Sequence, residues 1–202
     1  MKRQQIQLIG ILVFLAAVLA AFFGLRAANG REGSAKEQDA VSLIDFDVST
    51  VYRIKVYDPS EHDGTVTYKY ELWRDVSEDD DSWYVSESTL QSTTPVAKFD
   101  VVEQMLDEIK QLKGHKPIEN VTDYAQYGLE TPSLIIKLYS SEEGETAEQP
   151  TVIEIGDLST GASMYYGRVF SEENEDDTVY LLTTVLKSVF DISAESLISS
   201  DE

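Results

Sequence analysis

DYAQYGLETPSLIIKL, residues 123–138, sets two tyrosines, a glycine and a proline ahead of an apolar run. Its composition suits either a site of chemistry or a corner of the chain. The backbone roles favour the corner. Thr122 can cap one short turn, DYAQY, which Gly128 ends. Pro132 disfavours the helical region at Thr131 and pushes that residue to extended geometry. Leu134, Ile136 and Leu138 then alternate with Lys137, which reads as a strand. Each unusual residue has a conformational job, and none needs a substrate to explain it.

Working towards the N-terminus, the same alternation appears twice. In VYRIKVY (51–57), Tyr52, Ile54 and Val56 alternate with Arg53 and Lys55. In TVTYKYELW (65–73), Val66, Tyr68, Tyr70 and Leu72 alternate with polar residues. Period-two alternation means one face buried and one wet. The connector DPSEHDG makes the two an antiparallel hairpin, and SWYVS (82–86) adds a third strand after an acidic turn. A helix follows over 101–113. Asp100 is its expected cap with Glu103 as capping-box partner, Val102, Leu106 and Ile109 form its apolar stripe, and Gly114 is its stop. A start at Val96, after Pro95, is the alternative. Towards the C-terminus, strands read at TVIEI (151–155), MYYGRVF (164–170) and TVYLL (178–182), then a short helix at 183–190 and a turn at 193–198. Ile54-Lys55-Val56-Tyr57 matches Ile136-Lys137-Leu138-Tyr139, a weak sign of a duplicated β-rich unit.

The N-terminus differs in kind. Leu8 to Leu25 carries no charge and no strong polar group, and at ~1.5 Å per residue it approaches the ~30 Å hydrocarbon core. Lys2 and Arg3 precede it, which holds the N-terminus in the cytoplasm and places everything after Arg26 outside. A cleaved signal peptide is the competing reading, but the run is long and no small-x-small site stands out after it. A buried soluble helix is the third. The expected organisation is a transmembrane signal anchor over 1–28, a flexible tether over 29–44 and an extracytoplasmic domain over 45–202. The expected fold class is α+β: a mainly antiparallel β-sheet with one principal helix packed on it, preceded by an N-terminal transmembrane helix.

Charge narrows the function. The chain carries 37 acids, 16 bases and a net charge of −21. The first 31 residues hold four of the bases and no acid, so the remainder is strongly acidic. Such a surface repels nucleic acid and anionic lipid, so no nucleic-acid partner is expected. The absence of cysteine excludes disulfides, thiolate metal sites and a cysteine nucleophile.

Individual candidates give little chemistry. Gly156-Asp157 suits a ligand carboxylate or metal, and suits a turn after a strand better. The runs EDDD (78–81) and EENEDD (172–177) suit weak calcium binding but lack the spaced-ligand pattern, and read as solvated loops. His62 and His115 sit in polar loops with no second histidine at helical spacing. Ser159 and Ser163 flank Gly161 in a turn without an implied base. Tyr165, Tyr166, Trp73, Trp83 and Tyr84 form a candidate platform for glycan or peptide, against the plainer reading as core and cross-strand aromatics. Of the adjacent Tyr165 and Tyr166, one is expected to face the core and the other outward. No catalytic, cofactor-binding or metal-binding residue is assigned, and no cofactor is expected.

The order SWYV, a helix ending QLKG, TDYAQYGLETPSLIIKL, VIEIGD, STGASMYYGRVF and TVYLLTTVLKSVF resembles the domain-of-unknown-function 4340 family of bacterial proteins over residues 48–195. The resemblance implies a membrane-tethered extracytoplasmic domain, with some relatives encoded near ABC transporters of the gliding-motility or export type. It carries over no catalytic residue. The expected function is therefore non-enzymatic. It is a membrane-anchored domain that binds a protein partner, with an exporter or envelope assembly as the implied setting. A module for cations or cell-wall glycans is the alternative, and an envelope hydrolase the remote one.

Overall fold

A computed structural model describes residues 40–59, 68–74, 82–86, 95–142, 145–146, 149–171 and 177–199. Residues from Val41 onward form one structural unit. Its strands are β1 (Val41–Ser42), β2 (Val51–Tyr57), β3 (Tyr70–Trp73), β4 (Tyr84–Ser86), β5 (Lys113–Ile118), β6 (Leu134–Glu142), β7 (Glu145–Thr146), β8 (Thr151–Ser159), β9 (Met164–Phe170) and β10 (Val179–Leu182). The helices are α1 (Phe99–Lys110), α2 (Thr184–Phe190) and α3 (Ala194–Leu197). The sheet runs β1-β5-β10-β9-β8-β6-β2-β3-β4, with β7 paired to β6, and every pairing is antiparallel.

The expected α+β class is corrected by this topology. The unit is mostly one antiparallel sheet with small helices rather than a sheet balanced by one principal helix. The expected transmembrane helix is not part of it. No helix among the described residues is long and apolar enough to cross a membrane, and Leu8–Leu25 lies outside those residues.

The alternating strands form largely where the pattern put them, with two differences. A bulge after Val51 turns Val51 into the core and leaves Tyr52 to pack on Tyr139, ring centroids 6.5 Å apart. Of the strand read at 65–73 only Tyr70–Trp73 forms among the described residues, and 65–67 lie outside them. Ile54, Val56, Tyr70, Leu72, Val85, Leu134, Ile136, Leu138, Ile153 and Ile155 are all buried, and they share one core with Val102, Met105 and Ile109 of α1. Phe190 of α2 and Leu197 of α3 complete that face. Each such aliphatic side chain contributes ~1.5–3 kcal/mol on leaving water. Tyr70 adds a directional tie. Its hydroxyl donates to the Phe190 carbonyl at 2.8 Å, joining β3 to the end of α2.

Three local expectations change. α1 begins at Phe99 with Lys98 at its N-cap, so neither Asp100 nor Val96 starts it. The reason is tertiary. Ala97 N–H donates to Trp83 and Lys98 N–H to Leu197, which fixes the entry as extended chain beside β4 and α3. Gly114 does not stop α1, because the helix ends at Lys110 and Gly114 lies inside β5. A Cβ there would stand 2.4 Å from Tyr180 Cδ1, so glycine lets that ring lie against the strand. The short turn at Ala125–Tyr127 has Tyr124 at its N-cap instead of Thr122, and Asp123 Oδ1, just before it, accepts from Ala125 N–H at 3.1 Å. Gly128 ends it with φ 68, as expected.

Candidate functional site

With the helices on one face, every second residue of β2 after the bulge at Val51, and residues 135, 137 and 139 of β6, point to the other, while Val51 itself is buried in the core. Arg53, Lys55 and Tyr57 of β2 stand there, opposite Tyr139, Lys137 and Ile135 of β6. On the far side of β2, Trp73 and Glu71 of β3 lie opposite Arg53 and Lys55. Beyond β6, Glu154 of β8 faces Ile135, and Arg168 of β9 faces Glu154. The register therefore assembles a lattice of rings and cations from five strands. Its members are half-buried against one another instead of fully solvated.

The contacts are specific. Trp73 stacks on Tyr84 with ring centroids 4.9 Å apart. Lys55 Nζ lies 5.7 Å from the Tyr68 ring and 5.9 Å from the Tyr139 ring. Lys137 Nζ lies 5.2 Å from the Tyr57 ring. The Arg168 guanidinium is held between Tyr124 and Phe170, each 4.4 Å away, and its Nε donates to Glu154 at 2.6 Å. Such cation–ring contacts gain strength as water is excluded. Glu71 Oε1 sits 3.2 Å from Arg53 Nε and 3.7 Å from Lys55 Nζ. The Arg53 N–H is buried and close enough for ion pairing, yet not aligned as a hydrogen bond. Burial raises the Tyr57 and Tyr139 phenols, so both stay protonated and able to donate.

Charge marks this face most clearly. Arg53, Lys55, Lys137 and Arg168 are four bases against two acids, Glu71 and Glu154, on a chain of net charge −21. The arrangement sets cations, hydroxyl donors and ring faces side by side on one face of the sheet.

The expected candidates divide across the molecule. Trp73 and Tyr84 do meet, on this face. Trp83 instead joins the core, 4% exposed, beneath the Arg74 guanidinium 5.3 Å from its ring. Tyr165 packs on the main core, as expected of one of the pair, whereas Tyr166, expected to face outward, packs with Tyr127 at 5.0 Å on a second cluster of Val121, Leu129 and Val179. Gly156-Asp157 is not a turn. β8 runs on through it to Ser159, and the pair occupies a bulge where the register against β9 shifts between Ile155 and Leu158. A Cβ on Gly156 would lie 2.2 Å from the Tyr127 carbonyl oxygen, and one on Gly128 2.5 Å from Asp157 Cγ. The YGL and IGD stretches thus pack directly on each other. Ser159 and Ser163 bracket the β8–β9 turn, with Ser163 at φ 53.

His115 sits in β5 opposite Leu181, where a polar loop was expected, because β5 pairs with β10. His62, EDDD (78–81) and all of EENEDD except Asp177 lie outside the described residues. Among the described residues no group of three or more His, Asp or Glu is placed to hold a metal ion. A groove of about 340 Å³ runs along α1, lined by Arg74, Trp83, Phe99, Val102 and Leu106, with Phe99 63% exposed at its mouth. The cations of the open face were missed as a group. The sequence showed Arg53 and Lys55 only as the wet side of a strand. The repeated Ile-Lys-(Val/Leu)-Tyr was the one signal that tied Lys55 to Lys137.

These features define a sheet-dominated domain with helices on one face and a cationic, aromatic surface on the other. The chain belongs to the family described as Domain of unknown function (DUF4340), whose model matches residues 83–201. No curated protein and no solved structure matches it.

Proposed function

We propose that this chain is a non-enzymatic, membrane-anchored extracytoplasmic domain that works by binding a protein partner. The observation that carries the reading is the open sheet face. Rigid strands present Arg53, Lys55, Lys137 and Arg168 among tyrosine, tryptophan and phenylalanine rings, on a chain that is otherwise strongly acidic. Aromatic residues and arginine are the types enriched where proteins meet. The uncharged run Leu8–Leu25, preceded by Lys2 and Arg3, supports the anchoring and the outward orientation. An exporter or envelope assembly as the partner rests on family resemblance.

The test is a pull-down of the full-length tagged chain from crosslinked, detergent-solubilised membranes, read by mass spectrometry. The expected result is one reproducible membrane or envelope protein, lost when Arg53 and Trp73 are both changed to Ala. Wild-type recovery of no partner would overturn the reading. A second reading, a cell-wall glycan platform, is favoured by the stacked Trp73–Tyr84 pair. It expects retention of the chain on cell-wall material and loss of retention in Trp73→Ala.

A further inference from the structure

We infer that the open face carries a carboxylate-binding site between Lys55 and Lys137, and that the occupant is a short acidic segment of the protein partner, flanked by apolar or aromatic residues. The inference rests on the partner-binding reading and supplies its chemistry.

The register places Lys55 of β2 directly opposite Lys137 of β6. Like charges across an antiparallel pair are destabilising. The other bases of this face are neutralised locally. Arg53 shares Glu71, and Arg168 holds Glu154. Lys55 has only the edge of Glu71, at 3.7 Å. Lys137 makes no ion pair with a described carboxylate, and its neighbours across the strands are Lys55 and Val152. Two ammonium groups on interior strands therefore have one carboxylate nearby, and Arg53 already claims it. Ring faces and one shared carboxylate compensate only in part, and a local rule left partly uncompensated is a mark of a functional site.

The walls specify the occupant. Tyr57, Tyr68 and Tyr139 stand within 6 Å of these ammonium groups, and the first and last keep their hydroxyl protons because of burial. Val152 and, opposite it on β9, Phe170 supply apolar ground on the β8 side. One or two carboxylates would complete the lysine pair, and flanking apolar side chains would lie on the rings. A long polyanion fits poorly, because beyond this face it would run over a surface of the same sign.

The test uses the full-length chain in non-ionic detergent and two fluorescein-labelled peptides, LEYELY and its uncharged counterpart LQYQLY, read by fluorescence anisotropy. The expected result is about ten-fold tighter binding of the glutamate peptide, a difference that shrinks with salt and disappears in Lys55→Met/Lys137→Met. Methionine keeps the apolar stem, and removing like charges should leave the melting temperature of Lys137→Met unchanged or raised. A purely structural lysine would show the reverse, a lowered melting temperature, and that would overturn the inference. So would equal affinity of the wild type for both peptides, whatever the pull-down returns. Displacement of LEYELY by inorganic phosphate at concentrations where acetate has no effect would overturn the carboxylate assignment in favour of phosphate. An empty pull-down beside an intact glutamate preference would overturn the partner reading and leave the site standing.

Discussion

Gly156→Ala is the sharpest single test of how the YGL and IGD stretches hold each other. The added Cβ would lie 2.2 Å from the Tyr127 carbonyl oxygen and 3.1 Å from the Gly128 carbonyl carbon and oxygen. A carbon–oxygen contact normally sits near ~3.3–3.6 Å. One backbone must therefore withdraw by about 1 Å. Both are tied down, the turn side by Gly128 N–H donating to the Ala125 carbonyl and Leu129 N–H to that of Tyr124, each at 3.0 Å. β8 is hydrogen-bonded between β6 and β9, and Ser133 ties the start of β6 to Ile155 and Gly156 through bonds of 2.8 to 3.3 Å. Overpacking of this kind costs ~1–3 kcal/mol, and two rigid backbones place it at the upper end. For a chain of this size that is a fall in melting temperature of roughly 6–12 °C. Gly161→Ala is the control, since its Cβ would enter open space within the same hairpin. The assay is thermal unfolding followed by tryptophan fluorescence and circular dichroism on both variants. A Gly156→Ala protein within ~0.5 kcal/mol of wild type would refute the packing argument.

Three further outcomes follow from the same geometry. Tyr70→Phe strands the buried Phe190 carbonyl and should cost ~1–3 kcal/mol in urea unfolding, with the wild-type phenol, its pKa raised far by burial, failing to titrate until the fold is lost. Burial alone would raise the Asp191 carboxyl, but hydrogen bonds from Lys187 and Lys69 outweigh it and hold the group below its usual value. Its stabilising effect is thus present above about pH 4 and lost as pH falls through the depressed folded value. The wild-type advantage over Asp191→Asn, under ~1 kcal/mol for so exposed a group, should shrink below that pH in denaturant titrations. Arg168→Lys keeps the charge but not the planar stack between Tyr124 and Phe170, and should lose ~0.5–2 kcal/mol, read as a lower urea midpoint.

The alternating strands were legible because their period is a local property. β2 from Arg53 onward, β4, β6, β9 and β10 carry apolar side chains at every second position or throughout and appear where that pattern lies, and β3 appears as the C-terminal part of its pattern. β5 was illegible for a physical reason. KGHKPI has almost nothing apolar to alternate, and it becomes a strand because β10 and β1 bond to its two edges while Gly114 admits the Tyr180 ring. β1 lies within the segment read as tether, and Leu43 and Ile44 after it pack on the core. The bulge at Gly156-Asp157 hid because a glycine–aspartate pair is also the commonest look of a turn. The candidate site was half legible. Aromatic residues announced a platform, but membership in one face depended on the β2–β6 register. Strands far apart in sequence do not reveal their pairing.

That β2–β6 pairing lies inside the sheet and joins its two sequence halves, and it shapes the order in which the protein can be built. β2, β3 and β4 form a meander of near neighbours, and β6, β8, β9 and β10 form another. Pairing within each is quick, whereas joining them means closing a long stretch of chain that includes α1 and β5. Until β6 emerges, the inner edge of β2 offers unpaired N–H and C=O groups to any passing strand, while the Pro95–Ala97 segment already guards the outer edge at β4. The first half is therefore a template waiting for the second. A chain stalled between them would be the species most prone to aggregate or to take its missing strand from another molecule.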